Sequence, residues 1–147
     1  MSRSGYTDDC ENQWQQIMWR GRVASAMRGK RGQKLLTDLL AALDSMPVKA
    51  LVPHDLETPD GEVCALGALG KARGLDMSKI DPGEPDEVAV AFGVASPLVQ
   101  EIVYMNDEYY DSIFDSVFNR WVDITPEQRW TRMRAWVASK IQTLRCQ

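Results

Sequence analysis

The chain has 147 residues, and its 17 Lys and Arg against 21 Asp and Glu give a formal net charge of −4. A hydrophobic fraction of 44% and a charged fraction of 26% are ordinary for a folded domain, which excludes disordered and collagen-like chains. No apolar run approaches the roughly 20 residues of a membrane helix, and residues 1–10 lack the apolar core of a secretory signal. We therefore expect a single domain over residues 1–147 in the cytoplasm.

The first predicted unit is a helical hairpin over residues 9–46. Apolar residues spaced three to five apart over 11–27 indicate a helix capped by Asp8 or Asp9. Its apolar side chains lie on more than one face, so we expect both sides of the helix to be buried. A basic stretch with two glycines follows and ends this helix. Five leucines at helical spacing over 35–43 then predict a second helix that ends before Pro47.

The second predicted unit spans residues 49–76. Residues 58–61 place proline and glycine where a β-turn uses them, so a short β-hairpin near residues 50–65 is one option. Small residues dominate from Cys64 onward, and Gly67 and Gly70 each lower helix propensity by about 1 kcal/mol. We interpret the stretch as a buried helix whose glycines allow a neighbouring helix to approach its backbone closely.

The third predicted unit, residues 86–144, contains the remaining helices. One short helix ends at Gly93, Ser96 caps the next helix, and residues 125–128 match the capping box of the last. Between them, paired apolar positions at helical spacing over 108–121 predict a helix whose opposite side is acidic. The expected fold is mainly α, a compact single domain of five to seven helices around one core.

Residue types suited to catalysis or metal binding are sparse. Three cysteines and one histidine lie at scattered positions, a pattern that indicates neither a zinc site nor a disulfide framework. Cys64 with His54 is the one pair that would support nucleophilic catalysis, but nothing in the sequence brings the two together. The opposing interpretation is a buried thiol and a loop histidine. We predict a non-enzymatic protein with no catalytic residues, no metal site and no cofactor.

Charge is distributed unevenly along the chain. Residues 1–48 carry a net charge of +2, residues 49–112 of −9 and residues 113–147 of +3. This segregation gives the folded protein a dipolar surface, or else the ends neutralise the middle by packing against it.

The acidic and aromatic side of the predicted helix over 108–121 is the first candidate binding surface. Spaced carboxylates can present a negative surface to the basic cleft of a partner, as in proteins that imitate nucleic acid. The candidate partner-binding residues are Glu108, Tyr109, Asp111, Asp115 and Asn119.

A basic segment is the alternative candidate. Residues 20–34 hold six cations and no acid, a density that can neutralise phosphates, although the acidic chain as a whole opposes nucleic-acid binding. The candidate nucleic-acid-binding residues are Arg20, Arg22, Arg28, Lys30, Arg31 and Lys34.

Three groups of stretches carry a resemblance: SGYTDDC at 4–10 with WRG at 19–21 and RGKRGQ at 28–33, DGEVCALGAL at 60–69, and EIVYMNDE at 101–108 with TPEQRW at 125–130. They resemble small hypothetical proteins encoded by tailed bacteriophages and prophages of proteobacteria, over most of the chain apart from roughly 109–124. The resemblance implies a phage accessory protein in the bacterial cytoplasm. The group carries no enzymatic motif.

The resemblance, the segregated charge and the sparse catalytic groups together predict a protein that binds a bacterial host protein or protein complex. Inhibition of a host defence complex, in the manner of anti-CRISPR proteins, is the first form to test. The alternatives are a nucleic-acid-binding phage protein, a small enzyme that uses Cys64 and His54, and a component of the virion. The sequence does not indicate the oligomeric state.

Overall fold

The structure, a computed structural model, describes residues 3–5 and 13–142 of the chain. Helix α1 spans Gln13–Arg28 and helix α2 spans Lys30–Ser45, with Gly29 between them, so the predicted helical pair is confirmed. A side chain at Gly32, in the first turn of α2, would collide with a backbone carbonyl of α1, which explains why a glycine occupies this position. The cap predicted at Asp8 or Asp9 lies outside the described residues.

The β-hairpin considered near residues 50–65 forms only in part, without a pair of strands. The turn itself forms, since the Gly61 amide donates to the Thr58 carbonyl oxygen, but only one isolated bridge, between Glu57 and Val63, follows from it. Within the stretch the Val52 amide also donates to the Val63 carbonyl oxygen and the Cys64 amide to that of Leu56, but other backbone groups bond outside it. The Leu51 amide, for example, donates to the carbonyl oxygen of Pro126.

Helix α3 spans Ala65–Ala72 and is buried from Ala65 to Gly70, as predicted. Its glycines allow close approach, Gly67 to a loop and Gly70 to the side chains of Met77 and Phe92. A side chain at Gly67 would collide with the carbonyl group of Leu56, and one at Gly70 would collide with the side chain of Met77, in the 3₁₀ turn Met77–Lys79.

Three further α-helices follow: α4 over Pro85–Phe92, α5 over Ser96–Asp107 and α6 over Pro126–Lys140. Helix α4 ends at Gly93, which has a φ of 72°, and Thr125 and Gln128 form the predicted capping box of α6. The cap of α5 is Ala95 rather than Ser96, whose hydroxyl instead donates to Asp86.

The helix predicted over 108–121 is wrong, because α5 ends at Asp107. The chain turns and forms strand β1 over Ser112–Asp115, paired antiparallel with strand β2 over Arg120–Asp123. Turn chemistry explains the difference. The Asp115 carboxylate accepts from the amides of Val117 and Phe118, and Asn119 takes a left-handed φ of 52°. The β-branched and aromatic residues on either side favour strands.

The described residues thus form a mainly α fold of six α-helices with one small two-stranded hairpin, which confirms the predicted fold class. Buried apolar side chains from all six helices form one contiguous cluster, with the leucine face of α2 against α3 and α6. Within the described residues no single helix is long and apolar enough to cross a bilayer; only α4 and α5 taken together reach that length and composition, with a 107° bend between them.

Candidate functional site

The most concentrated group of exposed apolar side chains lies on the hairpin. Eight of the thirteen large apolar side chains exposed in the described residues fall between 109 and 122, each 38% to 83% exposed. We call these eight the hairpin patch: Tyr109, Tyr110, Ile113, Phe114, Val117, Phe118, Trp121 and Val122.

The two strands of the hairpin pack mainly on each other. Phe114 pairs with Trp121 across the ladder, and the two rings lie edge to face with centroids 5.4 Å apart. Neither strand packs extensively on a helix, and the sheet has two strands only, so within the described residues both outer edges lack a neighbouring strand. Two-stranded hairpins are marginal in water. The stability of the hairpin therefore depends on the contacts that hold its base, where the chain leaves and rejoins the core.

Two arginines of α6 hold that base. Arg132 donates to the carbonyl oxygens of Met105 at 2.6 Å and Tyr110 at 2.9 Å, and also to that of Tyr109. Arg129 is buried and donates to the Asn106 carbonyl oxygen. Burial lowers the pKa of both guanidinium groups. These contacts satisfy the carbonyls at the end of α5 and fix the direction in which the hairpin leaves the core.

Sequence reasoning missed these two arginines. One signal was present, since Arg129 lies four and eight residues before Met133 and Val137 and therefore shares the buried face of α6.

The hairpin is acidic around its apolar surface. Residues 108–123 contain four carboxylates and only one cation, Arg120, which gives this stretch a net charge of −3. The result is an aromatic ribbon with a negative rim.

The five predicted partner-binding residues all fall in this stretch, but not on one helix face. Glu108 accepts from the Ser4 hydroxyl and Asp115 holds the turn, so both serve the fold, while Tyr109, Asp111 and Asn119 are exposed. The other seven apolar side chains of the hairpin patch, which the prediction did not include, are exposed as well.

The basic segment is only partly neutralised. Arg20 forms an ion pair of 2.6 Å with the buried Glu101, and Lys34 pairs with Asp38 within α2. The remaining cations of the segment are exposed and form no ion pair with the described part of the chain: Arg22, Arg28, Lys30 and Arg31.

The outer face of α1 is also exposed, contrary to the expectation that more than one of its faces is buried. Trp14, Ile17 and Met18 are open to solvent, and within α1 only Val23 and Met27 are buried. A shallow groove of about 630 Å³ runs between α1 and the corner that joins α4 to α5.

Cys64 and His54 both lie near the ion pair of Arg3 with Asp107, but in different environments. Cys64 is 1% exposed, and its Sγ atom accepts from the Gly67 amide as the N-cap of α3. His54 is exposed, with Nδ1 at 3.9 Å from Oδ2 of Asp107, and Arg3 lies 3.9 Å from the Cys64 sulfur. A second cavity of about 670 Å³ opens between α2 and α3, and neither it nor the α1 groove is lined by Cys64 or His54.

Within residues 3–5 and 13–142, no three His, Cys, Asp or Glu side chains converge as metal ligands. Cys10 and Cys146 lie outside this part of the chain.

Comparison of the chain with protein-family models, curated proteins and solved structures gives no significant match.

Proposed function

We propose that this protein acts by binding a partner protein through the hairpin patch. The observation that carries the proposal is the concentration of eight exposed apolar side chains on one projecting ribbon. Full burial of one such side chain stabilises a protein by about 1.5–3 kcal/mol, and this gain is not realised while the patch faces water. Contiguous apolar patches rimmed by polar groups are typical of interaction surfaces.

The composition of the patch suits a binding role. Aromatic residues dominate the energetics of many interfaces, and Phe114, Phe118 and Trp121 supply three rings on one short ribbon. The unpaired strand edges also allow a partner strand to add to the sheet. Because the rim is acidic, the complementary surface is apolar with a basic border. A bacterial host protein or complex, including a defence complex, is the first partner to test.

A photo-cross-linking residue at position 118 tests the proposal in cells. Position 48 is the matched control, because Phe118 and Val48 are both 68% exposed. We expect position 118 to cross-link to one protein species in high yield and position 48 to give no such product. Equal or absent cross-linking at the two positions would overturn the proposal.

Nucleic-acid binding through the basic segment is the second candidate function. The exposed Arg28, Lys30 and Arg31, which form no ion pair with the described residues, support it. If this candidate is correct, the protein binds duplex or single-stranded DNA. The binding should weaken steeply with added salt and should be lost when all three residues are replaced by Glu. The same charge reversal at the exposed Lys79 is the control. Absence of binding at low salt would remove this candidate.

A further inference from the structure

The α1 groove has room for apolar side chains such as those at the tip of the hairpin. It is lined by Ile17, Met18, Gly21 and Ala26 on one side and by Ala95 and Pro97 on the other. A Cβ atom added at Gly21 would meet no atom within 4 Å, so the floor of the groove is open to an incoming side chain. The hairpin tip provides such side chains, since Val117 and Phe118 are among the most exposed residues of the described chain.

The two surfaces are also complementary in charge. Helix α1 carries three arginines and no acid, whereas residues 108–123 have a net charge of −3. Arg20 compensates the buried Glu101, which leaves Arg22, at the edge of the groove, and Arg28 available to an acidic partner. The lining of the groove thus includes one cation and no acid, whereas the stretch that carries the hairpin patch is net negative.

We propose that the α1 groove of one copy of this chain receives the hairpin of a second copy. This inference rests on the proposed function, in that the hairpin is the docking surface, and it names a second copy as the partner. The contact joins two different surfaces, so a pair held by one contact keeps one free hairpin, on one copy, and one free groove, on the other. Association therefore continues past the dimer into a ring or an open chain, and added salt weakens it.

Two variants, each lacking one surface, test the proposal by sedimentation velocity of the purified chain. Gly21→Glu places a charged side chain in the groove, and Val117→Ser with Phe118→Ser removes the apolar tip. We expect the unchanged protein to assemble beyond the dimer and each variant alone to remain monomeric. An equimolar mixture of the two variants should form dimers and nothing larger, because it contains one intact hairpin–groove pair. Loss of the tip should raise Kd by about thirtyfold or more.

A matched control outside both surfaces separates docking from folding. Val90→Ser removes from α4 an apolar side chain that is as exposed as Val117, and this variant should still assemble. If hairpins meet each other instead, Gly21→Glu will still assemble and mixing will restore nothing, which overturns the proposal. A monomer at about 1 mM chain also overturns it. In that case a cross-link from position 118 to a different protein would leave the proposed function intact, and no cross-link at all would remove both.

Discussion

Replacement of Asp107 by Asn tests whether a buried ion pair anchors residues 3–5 to the end of α5. Arg3 donates from Nε to Oδ2 of Asp107 at 2.6 Å and from Nη2 to Oδ1 at 2.7 Å, and the two side chains are 6% and 3% exposed. Removal of one partner of a buried pair costs about 3–5 kcal/mol, because the other charge is left uncompensated. We expect Asp107→Asn to lower the free energy of unfolding at pH 7 by about 3 kcal/mol.

The loss should depend on pH in a defined direction. Burial opposes ionisation of Asp107, but the hydrogen bonds and charge of Arg3, with Asn106 and the His54 backbone, outweigh burial and hold the pKa of Asp107 below its ordinary 3.8. A carboxyl whose pKa is lower in the folded state stabilises the fold above its unfolded pKa and loses this effect as the pH falls through its folded pKa. The difference between wild type and variant should therefore be full at pH 7 and shrink below pH 3.8.

Urea unfolding followed by tryptophan fluorescence at several pH values measures both effects. Asp44→Asn is the control, since Asp44 pairs with Arg134 at 2.7 Å but both side chains are largely exposed. Exposed pairs contribute little, so this variant should lose far less stability. Equal losses in the two variants at pH 7, or a loss at Asp107 that does not change with pH, would refute the reasoning.

Three further predictions concern the fold and its exposed surfaces. Gly67→Ala should destabilise the protein severely because the new methyl group meets a backbone carbonyl, whereas Gly21→Ala should raise the unfolding free energy by about 0.5–1 kcal/mol; urea unfolding compares them. Val117→Ser with Phe118→Ser should change that free energy by no more than about 0.5 kcal/mol, and a large loss would show that the tip supports the core. Cys64 should react with iodoacetamide only after unfolding, as measured by peptide-resolved mass spectrometry; rapid labelling of the native protein would contradict its burial.

The elements that were predictable are those whose signals are local. The leucines of α2 repeat at helical spacing, and Leu35, Leu36, Leu39 and Leu43 are buried. The capping box of α6 uses only Thr125 and Gln128 and is present as predicted. In both cases side chains within a few residues of each other determine the structure, so the pattern does not depend on the rest of the chain.

The hairpin shows where local pattern was insufficient. The apolar positions between 109 and 121 fit a helical stripe, but the same residues fit two short strands around a turn held by Asp115. Apolar residues at helical spacing form a helix only where another part of the protein covers them. The spacing itself does not show whether such a covering surface exists. The predicted site contained Tyr109 and four polar residues, and it did not include the exposed rings of Phe114, Phe118 and Trp121.

The amino-acid sequence by itself determined a mainly α chain, the positions of most helices, and a polar turn at residues 58–61. Tertiary structure alone decided that residues 50–65 form one isolated bridge instead of two strands, and that two arginines of α6 donate to the last carbonyl oxygens of α5. It also decided that the following residues leave the core as an exposed ribbon. The physical reason is that periodicity and turn chemistry act over a few residues, whereas burial depends on which distant surfaces already fill the core.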